Sequence, residues 1–146
     1  MTTGRILAID HGDKRLGFAL SDPGRVIAYS LTTIKNLSSE KTKIQIQALV
    51  AEHQVNMILV GMPLNLKGEQ AFKAEIVKKF VEQLKSWFAI DIQTYDERFT
   101  TTIAHQTVKA SGKSPSRERN KIDQIAATIL LQSYLDYLKN QRPVDE

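Results

Sequence analysis

The six residues Arg5-Ile6-Leu7-Ala8-Ile9-Asp10 constrain the fold more than any other stretch of the chain. Four consecutive apolar side chains leave no polar face, so a strand built from them is covered on both sides and runs through the middle of a sheet. Its last residue is a carboxylate. Residues 15–21 follow a different rule. Large Leu16, Phe18 and Leu20 alternate with Gly17, Ala19 and Ser21, the two-residue period of a strand with one face kept small. Asp22-Pro23-Gly24-Arg25 is a turn sequence, with Pro presetting φ and Gly accepting positive φ. Residues 26–34, rich in β-branched and aromatic types, read as a third strand. Three strands with short connections make an antiparallel meander.

Beyond this meander the apolar period lengthens. Residues 39–53 carry Ile44 and Leu49 at helical spacing, with Ser38 or Ser39 as N-cap. Met57 to Val60 reads as a short buried strand closed by Gly61 and Pro63. A second helix is predicted over 70–88, with Ile76, Val77, Phe80, Val81 and Leu84 on one stripe. Residues 90–95 read as a strand. A helix capped by Thr100 or Thr101 ends near Gly112, and a last one runs from about Arg119 to Leu138. Strands joined through helices are parallel, with right-handed crossovers. The order β-β-β-α-β-α-β-α-α therefore predicts an α/β fold: a five-stranded mixed sheet, a three-strand antiparallel meander plus two parallel strands, flanked by helices. With no repeat and no linker, residues 1–139 are expected to form one domain and 140–146 a C-terminal tail.

Composition narrows the chemistry. The chain has no cysteine, which excludes disulfides, iron–sulfur clusters and a thiol nucleophile. His11, His53 and His105 are isolated and lack zinc-ligand spacing. The apolar run from Ile6 to Ile9 is too short for a secretory signal, and nothing approaches the roughly 20 apolar residues that cross a bilayer. The expectation is a cytoplasmic protein without a membrane partner. Net charge is +4. Residues 109–121 hold Lys109, Lys113, Arg117, Arg119 and Lys121 against Glu118 alone, which leaves 15 basic and 15 acidic residues elsewhere. The whole excess sits in one segment. It reads either as a contact to a polyanion or as a solvated basic loop.

Three carboxylate positions stand out. Asp10 ends the first strand, at the edge where such sheets bind ligands, although Asp and Gly in Asp10-His11-Gly12-Asp13 also suit a plain turn. Asp96 and Glu97 follow the strand 90–95, where either could instead serve the helix N-terminus that comes after; physics alone does not choose between them. Asp123 aligns at helical spacing with Ala126, Ala127, Leu130 and Tyr134, a stripe that should pack on the sheet. A carboxylate there is costly unless paired or metal-bound, the alternative being a cap in the first turns. Hard oxygen ligands without His or Cys suit Mg²⁺ or Mn²⁺, and two such ions about 4 Å apart serve phosphodiester hydrolysis.

The motifs Asp10-x-Gly12-x-Lys14-Arg15-x-Gly17-x-Ala19-x-Ser21-Asp22, Gly61-x-Pro63, Asp96-Glu97-Arg98-x-Thr100-Thr101 and Lys121-x-Asp123-x-x-Ala126-Ala127 together resemble the YqgF/RuvX family. The match runs in order along nearly the whole chain. It implies a ribonuclease-H-like fold and a nuclease acting on branched DNA, as a Holliday junction resolvase, or maturing the 5′ end of the 16S ribosomal RNA precursor. By the family pattern the catalytic metal carboxylates fall on Asp10, Glu97 and Asp123. Lys14, Arg15, Arg98, Lys113, Arg117, Arg119 and Lys121 are then expected to bind nucleic acid. The expected partners are precursor rRNA or branched DNA, extending to ribosomal particles. Symmetric cutting of a junction needs a homodimer, whereas trimming one RNA end needs only a monomer. A non-catalytic RNA-binding assembly factor would use the same basic segment without cleavage. An actin-like nucleotide binder, suggested by Asp10-x-Gly12 after a strand, needs a second phosphate loop that these 146 residues do not offer.

Overall fold

The computed structural model describes residues 3–36, 38–63, 69–97 and 119–141, without the side chains of residues 69, 70 and 119–121. The predicted helix after Thr100 lies outside the described residues. β1 (Arg5–His11) is the central strand. β2 (Arg15–Ser21) pairs with it antiparallel, and β3 (Ala28–Lys35) pairs antiparallel with β2. β4 (Val55–Met62) and β5 (Asp91–Asp96) add in parallel on the other side, giving the order β3-β2-β1-β4-β5. The mixed five-stranded sheet is the one the element order predicts.

The sheet is covered on both faces. α1 (Ser39–Glu52) and α2 (Glu69–Trp87) share one core with the large side chains Leu7, Ile9, Leu16, Phe18 and Leu20. α3 (Arg119–Asn140) packs on the other face, against Ile6, Ala8, Ala19 and Leu59, through Ala127, Leu130, Leu131 and Leu135. The alternation in β2 is thereby explained: its large face meets two helices, and its small face lets α3 come close. Each fully buried Leu, Ile or Phe contributes about 1.5–3 kcal/mol of transfer free energy.

Several details differ from the sequence reading. β3 begins at Ala28 rather than residue 26, because the Asp22 carboxylate accepts the backbone N–H groups of Val26 at 2.7 Å and Ile27 at 2.8 Å and keeps both in the turn. Those bonds, that from Ile27 first, hold the Asp22 carboxyl below its ordinary pKa. β4 is longer than expected, since β1 pairs with it from Val55 to Val60 and β5 carries the pairing on through Gly61 and Met62. Ile44 is exposed, because about 100° per residue places it opposite buried Thr42 and Ile46. Ile76 likewise lies off the stripe, where Ala74 joins Val77, Phe80, Val81 and Leu84 instead. Ser38 occupies the N-cap position of α1, but its side chain makes no capping bond. Ser39 Oγ instead accepts a bond from Gln83 Nε2 at 2.9 Å, which ties α1 to α2. α3 continues to Asn140, one residue into the expected tail. No described helix is long and apolar enough to cross a membrane.

Candidate active site: a carboxyl pair over two glycines

Parallel pairing of β1, β4 and β5 brings their carboxyl ends to one edge of the sheet, where open α/β sheets bind ligands. Asp10 lies near the end of β1, and Glu97 directly follows β5. Alternation puts Asp10 on the α3 face with Ile6 and Ala8. The residues beside it on that face are glycines. Gly17 is its partner on β2, and Gly61 on β4 comes one residue after the Ile9–Val60 pair.

Gly61 makes room for Glu97. A Cβ at Gly61 would stand 2.5 Å from Glu97 Oε2, 3.1 Å from Leu130 Cδ2 and 3.2 Å from Glu97 Cβ. Bare backbone lets the Glu97 side chain cross β4 and hydrogen-bond with Asp10. The Glu97 N–H donates to the Met62 carbonyl at 3.2 Å, which anchors the residue where β5 ends. Both carboxyls are buried, Asp10 at 7% and Glu97 at 9% exposure. Burial first, and the Glu97 charge second, push the Asp10 carboxyl from its ordinary 3.8 up to about 8, while the Lys73 cation pulls the other way. A hydrogen bond between two carboxyls needs one proton between them, and burial favours the protonated form of Asp10.

A Gly61→Ala substitution is expected to destabilise the fold by about 1–3 kcal/mol, because Glu97 and Leu130 must both give way. The check is a lower urea midpoint at unchanged slope; an unchanged midpoint would show that the pair needs no bare backbone there.

Asp123 approaches from α3. A Cβ at Gly17 would overlap the Asp123 carbonyl oxygen and lie 3.0 Å from Asp123 Cβ, so this turn of the helix rests on strand backbone. Asp123 Oδ1 is 3.8 Å from the corresponding point at Gly12. The stripe expected behind it is present, with Ala126, Ala127 and Leu130 buried and Tyr134 partly so. The structure thus joins Asp10 to Glu97 and sets Asp123 one strand over, above the partner of Asp10. Among the described residues no three His, Asp or Glu side chains stand as a group that could hold a metal ion.

Lys73, which the sequence reading missed, is the cation that the described residues set beside the carboxyl pair. Its Nζ lies 3.9 Å from Glu97 Oε1, with the side chain 36% exposed. The available signal is its spacing: Lys73 precedes Val77 by four and Phe80 by seven residues, on the buried stripe of α2. His11 points to the opposite face and packs on Phe80 with ring centroids 4.7 Å apart. Burial is the main cause of its lowered pKa, which keeps it neutral. Exposed Lys14 and half-buried Arg15 lie at the β1–β2 turn, closed by Gly12 N–H donating to the Arg15 carbonyl at 2.9 Å. Arg98, Lys113 and Arg117 lie outside the described residues, as do the side chains of Arg119 and Lys121 at the start of α3. The sequence offers no obvious aromatic platform, yet the fold gathers Tyr95 of β5 with Tyr134 and Tyr137 of α3, the Tyr95 and Tyr134 rings meeting edge-on at 5.3 Å.

The model of the RuvX family, described as "Holliday junction resolvase", matches residues 4–137. The chain belongs to this family. Among RuvX relatives, a protein of Thermoanaerobacter pseudethanolicus is 41% identical over 94% of this chain and 99% of its own length. A protein of Chloroflexus aurantiacus is 41% identical over 90% of this chain and 86% of its own. Both carry the name "Putative pre-16S rRNA nuclease". Two solved structures share the fold. RuvC of T. thermophilus in complex with a Holliday junction substrate matches with TM-score 0.58 at 13% identity, over 94% of this chain and 96% of that one. The fowlpox virus Holliday junction resolvase matches with TM-score 0.54 at 13% identity, over 91% and 99%. The RuvX chain therefore has the ribonuclease-H-like fold that the sequence motifs implied.

Proposed function

We propose that this RuvX protein is a nuclease that hydrolyses phosphodiester bonds with Mg²⁺ or Mn²⁺ and processes the 5′ end of precursor 16S rRNA. The observation that carries the reading is the buried Asp10–Glu97 pair at the carboxyl edge of the parallel strands. Two carboxyls forced together in a dry setting need either a proton or a cation between them, and their oxygens are hard donors suited to Mg²⁺ or Mn²⁺. Asp10 and Glu97 would hold the cation from the sheet and Asp123 from the helix side. Such a cation, when bound, supplies Lewis acidity and a more acidic water. The chain's own part is to release the Asp10 proton, to keep the carboxylates fixed on strand ends, and to draw the polyanion in. Lys14, Arg15, Arg98 and the segment bearing Lys113, Arg117, Arg119 and Lys121 would bind backbone phosphates, which give position rather than sequence choice. The names of the relatives favour RNA; the family description favours a second reading, resolution of branched DNA.

The experiment sets a leader-bearing precursor 16S rRNA beside a four-way DNA junction, each with Mg²⁺, Mn²⁺ or EDTA. The expected result is leader removal with either metal, none with EDTA, and an intact junction. A cut junction beside intact RNA would transfer the assignment to branched DNA. Cleavage that survives EDTA would overturn the metal requirement. Binding without cleavage in every metal would make the protein an assembly factor.

A further inference from the structure

The Asp10–Glu97 pair has a resident cation. The Lys73 ammonium lies 3.9 Å from Glu97 Oε1, and its charge also acts on Asp10. Lys73 projects from the second turn of α2, which follows β4, and β4 runs between the two acidic residues. Its side chain is 36% exposed, against 8% for Glu97, so Lys73 links the buried carboxyl to solvent. A lysine is a flexible point charge with three donors, and among the described residues it is the Glu97 carboxylate that lies within ion-pair distance of this one.

We propose that Lys73 is an internal counter-ion that competes with the divalent metal for the Asp10–Glu97 pair and, once displaced, binds a phosphate oxygen of the substrate. This rests on the metal-dependent reading above. The sign of the competition does not depend on the proton. If metal entry expels the Asp10 proton, the site gains one positive charge; if no proton leaves, it gains two. Either way the ammonium is repelled, and a stem of four methylenes lets it swing outward to where a polyanion arrives. One residue then has two opposite effects, weakening metal binding in the free protein and strengthening substrate binding in the loaded one. A lysine that merely braces α2 has neither.

The test measures both in full-length protein. Mn²⁺ affinity is titrated without nucleic acid for the parent, Lys73→Met and Lys73→Arg. Affinity for a precursor rRNA fragment is then measured in Ca²⁺, used in place of Mn²⁺ to retard cleavage. Lys73→Met is expected to bind Mn²⁺ about tenfold more tightly and RNA about tenfold more weakly, with Lys73→Arg restoring RNA affinity. Unchanged or weaker Mn²⁺ binding in Lys73→Met, while the parent binds Mn²⁺, overturns the counter-ion role and leaves the metal reading standing. Tighter Mn²⁺ binding with unchanged RNA affinity overturns the phosphate contact. A parent protein that binds no divalent cation removes both this proposal and the reading beneath it.

Discussion

Asp10→Asn is expected to lose cleavage by on the order of a thousandfold, about 4 kcal/mol in the barrier, while becoming more stable than the parent in the absence of metal. On the proposed metal-dependent reading, the loss follows from replacing a charged oxygen donor by a neutral amide. The gain follows from linkage. The folded state holds the Asp10 proton up to about pH 8, whereas the unfolded chain releases it near 3.8. This group costs the parent nothing below about pH 4. From there to about pH 8 the folded state binds more protons than the unfolded one, so stability falls as pH rises. Asn has no such slope, and its amide N–H can donate to Glu97 where the proton did. At pH 8 in EDTA the variant should gain roughly 2–4 kcal/mol, a melting temperature higher by on the order of 5–15 °C. At pH 4 the two proteins should melt together. Added Mg²⁺ or Mn²⁺ should stabilise the parent more at pH 8 than at pH 6 and leave Asp10→Asn nearly unmoved. A variant that melts below its parent at pH 8 would mean that the carboxyl is not held against its charge.

How much of this site is legible in the sequence depends on how local the signal is. Asp10 announces itself because a carboxylate closing an all-apolar run is costly to bury unless a partner or a ligand meets it there. The small face of β2 is equally plain from Gly17, Ala19 and Ser21, and it foretells a close helix without saying which. Glu97 is not separable from Asp96 by periodicity. What separates them is Gly61, some 35 residues earlier, whose missing Cβ lets the Glu97 side chain across β4. That is a contact between strands, and no local pattern carries it. Lys73 is hidden for a related reason. Its place on the apolar stripe of α2 is readable, but its partner comes from the end of β5, and a lysine near the start of a helix ordinarily faces water. The misplacement of Ile44 and Ile76 has another cause. Both helices lie over a sheet that already presents large side chains, so each needs only a narrow stripe, and apolar residues beyond it remain exposed.

Gly17→Ala should be the most damaging single methyl on the α3 side. At Gly61 part of the obstruction is the end of a side chain that can rotate; at Gly17 it is the backbone carbonyl of Asp123 inside a helix, which cannot. Relief requires α3 to lift or shift as a body. That opens the layer in which Ala127, Leu130 and Leu131 meet Ala8, Ala19 and Leu59. Close-packed interiors give way poorly, so a loss of roughly 2–4 kcal/mol is expected, read as a lower urea midpoint. The same shift carries Asp123 away from Gly12 and from the strand beside Asp10. Cleavage should therefore fall at least about tenfold beyond what the unfolded fraction explains, when assayed at a temperature where circular dichroism shows the variant folded. Ala19→Gly is the matching control, since it loses a methyl on the same strand and face without touching Asp123. It should cost roughly 1 kcal/mol and leave the activity of the folded protein unchanged. If Gly17→Ala is as stable and as active as its parent, α3 does not rest on β2 as described, and Asp123 has no fixed position from which to serve the carboxyl pair.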